Sequence, residues 1–181
     1  MGEDRDIKIY VKGENSESND FVRISDGIDR NKRNGNSDKA KQLGVRLAKV
    51  RPDSAELEAF CRNMPAAELY CVRVLLTFTA EFSIRNGIHS DILADAVSTS
   101  MYDYLKTEEK GYYDNISDGS AFTFYLLALK KDGAPSHNIG EQFAKRCGTN
   151  RIEYTQKGAE IFDCASELFS RMIEETGFEE I

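Results

Sequence analysis

Histidine occurs only twice in this chain, as His89 and His137, and no G-x-S-x-G elbow or C-G-x-C context accompanies either one. Nucleophilic catalysis of the serine or cysteine type therefore finds no support, because it needs a nucleophile and a base in a recognisable local setting. No G-x-x-x-x-G-K-[ST] loop and no G-x-G-x-x-G following a strand is present. With no alternating apolar pattern in the folded part either, nucleotide-binding α/β folds are excluded on two grounds. The four cysteines, Cys61, Cys71, Cys147 and Cys164, form no C-x-x-C pair and no cluster with histidine, so zinc-type spacing is missing. They fall at apolar helix positions, where a free thiol behaves as a small hydrophobe, and a reducing, cytoplasmic setting is expected.

An excess of positive charge is also lacking. Lys and Arg number 24 against 31 Asp and Glu, for a net charge of −7 and a pI near 5.0. This argues against general affinity for phosphate backbones or anionic membranes. Long hydrophobic runs are missing too. The best membrane candidate, Leu69 to Ile84, is too short and carries Arg73 and Glu81, and the first residues have no basic flank leading into an apolar core. No metal site and no cofactor is expected.

What is present is a chain of 181 residues with strong helical patterning. Residues 1–37 hold only nine apolar residues among eight acidic and seven basic ones, the composition of a disordered tail. Within it, Ile7, Ile9 and Val11 alternate with polar neighbours as a short extended stretch. From residue 38 the period changes to 3.6, and an all-α, bundle-like domain of about six or seven helices is expected over 38–181.

A first helix carries Leu43, Leu47 and Val50 and ends before Pro52. A second runs from Asp53 to Met64, opened by an Asp53–Glu56 capping box. The stretch from Pro65 to Gly87 is apolar nearly all round and reads as the central helix. Ser90 caps a fourth helix with Asp91, Asp95, Thr99 and Asp103 on its outer face, which reads as a solvated acidic surface. The linker Lys106 to Gly119 ends in DNISDG, a failed EF-hand start that lacks oxygen ligands at positions three and twelve. Ser120 to Lys131 is apolar at eight of the nine positions from Ala121 to Leu129, which predicts a second helix enclosed on nearly all sides. Asn138 and Asn150 are expected to cap the last two helices.

Three places compete for function. On the central helix, Arg73, Thr77, Glu81 and Arg85 recur every four residues as one polar ridge, and Arg73, Glu81 and Arg85 are the candidates for lining a small-ligand or enzymatic site. The segment 139–162 resembles a helix-turn-helix through Ala144 and Gly148, and Lys145, Arg146, Arg151 and Lys157 give it a local positive bias. Tyr154 and Lys157 depart from that pattern, and nucleic acid is a disfavoured partner. Tyr102, Tyr104, Tyr112 and Tyr113 gather around one linker, as interface tyrosines often do. The leading expectation is a helical protein–protein interaction or structural module, whether self-associating or bound to another protein.

Overall fold

A computed structural model describes the backbone of residues 14–179 and the side chains of residues 24–179. Among the described residues the architecture is all-α, with nine helices and no strand: α1 (Glu14–Arg33), α2 (Asn36–Ala48), α3 (Glu58–Cys61), α4 (Ala66–Gly87), α5 (Asp91–Glu108), α6 (Lys110–Ile116), α7 (Ser120–Leu129), α8 (Pro135–Arg146) and α9 (Ile152–Thr176). The short extended pattern at residues 7–12 lies outside the described residues.

The centre is α4. Every residue from Cys71 to Ala80 is buried, and the helix packs against α5, α7, α8 and α9. Its nearly uniform apolar surface demands such neighbours, because a helix with no wide polar face must be covered on most sides. Aromatic contacts fasten α7 and α9 to it: Phe78 meets Tyr125 at 5.1 Å and Phe122 at 6.1 Å between ring centroids, and Phe82 meets Phe162 at 6.1 Å.

The most extensive packing joins α2 to α5 and α8 to α9. Both pairs close on a glycine. A Cβ on Gly44 would run into the Val97 carbonyl and lie 2.8 Å from the Met101 nitrogen, and one on Gly140 would strike the Thr155 carbonyl and lie 3.0 Å from the Ala159 nitrogen. Missing side chains at these two positions let the helix backbones approach each other directly.

Within the weakly apolar residues 1–37 lies α1, which touches α2 and α5 but buries little: Ile24 is 50% and Ile28 38% exposed, and only Gly27 and Asn31 among residues 24–33 are buried. Two expectations are corrected. The expected helix from Asp53 to Met64 is mostly turns, leaving the single turn of α3. Asn138 does not cap a helix; it lies inside α8, which starts at Pro135, and donates to the Lys131 and Asp132 carbonyls at 3.3 and 3.4 Å. Ser90 does cap α5, accepting from the Leu93 N–H at 3.5 Å. Among the described residues no helix is long and apolar enough to cross a membrane.

Candidate functional sites

The polar ridge of α4 divides into two halves with different surroundings. Its first half points inward. Arg73 is 7% exposed, and its guanidinium donates to the Ala48 carbonyl at 2.7 Å, to the Val50 carbonyl, and to Glu109 Oε1 at 2.9 Å. Ala48 is the last residue of α2 and Val50 lies just beyond its cap, where unpaired C=O groups and the negative end of the helix dipole favour a cation. Arg51 grips the same carboxylate at 2.9 Å. The Arg73 guanidinium also lies over the Tyr112 ring, 5.2 Å from its centroid.

Tyr112 completes this network. Its hydroxyl donates to the Arg73 carbonyl at 3.1 Å and shares a 2.7 Å hydrogen bond with Thr77 Oγ1. Burial pushes the Tyr112 pKa up to about 12, against the opposing pull of the Thr77 hydrogen bond and the Arg73 charge. Arg73 and Thr77 thus serve as a staple between α2, α4 and the α5–α6 junction. Their hydrogen-bonding groups are consumed by the protein, apart from Arg73 Nε, which has no partner among the described residues.

The second half of the ridge opens on a cleft. Arg85 donates from Nε to Glu81 Oε1 at 2.9 Å and from Nη1 to Asp95 Oδ1 at 2.6 Å. These two carboxylates hold the Arg85 pKa above its ordinary value, Asp95 first and Glu81 second. The pair forms one edge of a cleft of about 590 Å³ between α4, α5, α6 and α7. Its walls include Ser98, Tyr102, Asp103, Tyr113 and Phe122. Asp91, Asp95, Thr99 and Asp103 on the outer face of α5 are all exposed, and Asp95, Thr99 and Asp103 border this cleft. The ridge brings Glu81 and Arg85 to this cleft and carries Arg73 away from it.

The third place is α7, and here the expected enclosure fails. Ala121, Phe122, Tyr125 and Ala128 are buried, whereas Phe124, Leu126 and Leu127 are 63%, 52% and 53% exposed. On a helix these three, with Thr123, share the arc opposite the core. Among the described residues, α7 packs chiefly against α8, α4 and α6. Beside Phe124, a groove of about 260 Å³ runs between α7 and α8, lined by Ala121, Tyr125, Gln142, Lys145 and Arg146.

The four basic residues of the 139–162 segment separate accordingly. Lys145 and Arg146 line the α7–α8 groove, and Arg146 Nη1 donates to the Ala121 carbonyl at 3.4 Å. Arg151 donates to Glu153 at 3.1 Å and covers the Tyr154 ring. Lys157 is half-buried on α9 and partly offsets the burial that pushes the Cys61 thiol up to about 11. The second helix of the presumed motif is a 25-residue element with Ile161, Ala165 and Phe169 in the core. Tyr154 is tied to Glu68 by a 2.6 Å hydrogen bond.

Among the described residues no group of three or more His, Cys, Asp or Glu is placed to hold a metal ion. Sequence reasoning missed Glu109 and Asp95 as partners of the ridge, since their proximity arises only when α5 folds back along α4. No family model matches the chain, and no curated protein or solved structure matches it significantly.

Proposed function

We propose that the protein is a helical interaction module that docks an amphipathic helix with acidic flanks across α7 and the α7–α8 groove. The observation that carries this reading is the exposure of Phe124, Leu126 and Leu127 on one arc of α7. Isolated surface leucines are ordinary, but a contiguous apolar strip is a feature of interaction surfaces. Covering one phenylalanine and two leucines would contribute on the order of 1.5–3 kcal/mol per side chain.

Charge supports the choice of partner. The residues lining the groove include Lys145 and Arg146 and no carboxylate, on a chain whose net charge is −7. A helix with Leu or Phe at i, i+3 or i+4 and i+7, and with Glu or Asp beside that stripe, matches both the apolar strip and its rim. The four free cysteines support a cytoplasmic setting for this exchange.

A display library of helical peptides with one Leu/Phe stripe and either acidic or basic flanks tests the proposal against the full chain. Acid-flanked sequences should be enriched, and the Leu127→Asp variant should lose them. Equal retention of basic-flanked peptides, or no enrichment at all, would overturn it. Concentration-dependent dimerisation abolished by Leu127→Asp would assign the face to a second copy and count against a heterologous helix.

A further inference from the structure

The cleft between α4, α5, α6 and α7 is remote in chemistry from the basic, apolar groove, and its lining is acidic and aromatic. Glu81, Asp95 and Asp103 stand against Arg85, a formal balance of three negative charges and one positive. Arg85 is already engaged by Glu81 Oε1 and Asp95 Oδ1, so its charge is directed within the wall. The carboxylates of the wall are left in excess.

Two oxygens in that wall have no hydrogen-bond partner among the described residues, Glu81 Oε2 and Ser98 Oγ. Ser98 is 5% exposed, and both residues line the cleft. A buried polar atom without a partner costs about 1–3 kcal/mol, so a donor supplied from the cleft would relieve a standing penalty. A carboxylate oxygen can only accept, and a serine hydroxyl can accept as well as donate. They call for an N–H or O–H donor, and the surplus of carboxylates favours a positively charged one, which among these is an ammonium N–H.

Aromatic side chains complete the setting. Tyr102 and Tyr113 flank the acidic residues and Phe122 lies on the α7 side. Burial, then the nearby Glu81 charge, raises the Tyr102 pKa, so this phenol stays neutral and keeps its ring available to a cation. A metal ion is a poorer fit, because no group of three His, Cys, Asp or Glu is placed to hold one among the described residues. The volume of about 590 Å³ falls within the range of small-molecule sites.

We propose that this cleft binds a small aryl- or alkylammonium ion, with Glu81 and Ser98 receiving its N–H groups after a side-chain rotation and Tyr102 and Tyr113 beside its charge. The inference does not rest on the docking role of α7.

Isothermal titration of the full chain with phenethylammonium tests it, using 2-phenylethanol, phenylacetate and magnesium chloride as neutral, anionic and metal counterparts. Saturable one-to-one binding of the ammonium alone is expected. Glu81→Gln should weaken it about tenfold or more, and Ser98→Ala by a smaller factor. Circular dichroism and thermal melts establish that each variant is folded, and Asp91→Asn, an exposed carboxylate outside the cleft lining, should bind as the parent does. Absence of saturable binding at millimolar ammonium, equal binding of 2-phenylethanol or magnesium, or unchanged affinity in folded Glu81→Gln would overturn the proposal.

Discussion

Arg73, buried in the middle of α4, holds Glu109 at the α5–α6 junction at 2.9 Å while also closing the end of α2 through the Ala48 carbonyl. One side chain thereby ties three parts of the fold that are distant in sequence. Arg73→Met should destabilise the protein by about 1–3 kcal/mol or more in urea unfolding, since it strands the Ala48 and Val50 carbonyls and leaves Glu109 with Arg51 alone. Glu109→Gln keeps an acceptor for Arg73 and should cost less, about 1–2 kcal/mol.

The two glycine contacts make a second prediction. Gly44→Ala and Gly140→Ala each drive a Cβ into backbone of the facing helix, where nothing can rotate away. Each should lower stability by about 1–3 kcal/mol or more. Gly111→Ala, in exposed α6 with nothing within 4 Å, should instead raise it by about 0.5–1 kcal/mol.

How far the fold can be read from sequence follows from the same helices. The central position of α4 was legible because its run of buried residues has no wide polar face to turn outward. The Ser90 cap was legible because capping is local. The enclosure expected for α7 was not correct, because an apolar surface states what a helix would gain from cover and not whether its own chain supplies it. The ridge was visible as a spacing, but its division was not. Whether Arg73 points at the α2 terminus depends on contacts spanning 23–36 residues of sequence, and whether Glu81 borders a cleft depends on where α5, α6 and α7 pack, neither of which periodicity along one helix encodes.

Titration supplies a third prediction. Burial raises the Cys61 thiol from about 9 to about 11, so the folded state holds this proton more tightly than the unfolded chain. The resulting stability is fully present below about pH 9 and is lost as pH rises through about 11. Urea midpoints of the parent protein should therefore fall across this window. Cys61→Ala should be less stable at neutral pH yet show a shallower alkaline decline, by on the order of 1–2 kcal/mol. An identical alkaline slope in the variant would show that this thiol carries no such linkage.

Opposite sides of α7 should respond differently to the same chemical change. Phe124→Ser lies on the exposed arc and should alter stability by no more than about 0.5 kcal/mol. Phe122→Ser, 8% exposed and packed on Phe78, should cost about 3–5 kcal/mol. Thermal or urea melts of the two variants check the contrast.

The docking role of α7 is tested most directly by fluorescence anisotropy with a labelled acid-flanked amphipathic peptide recovered from the display library. The account predicts saturable binding by the parent chain, a loss of about tenfold or more in Leu127→Asp and Phe124→Ser, and weakening when Lys145 and Arg146 are both changed to Glu. Binding that survives these substitutions in folded protein, or that is stronger after the charge reversal, would contradict it.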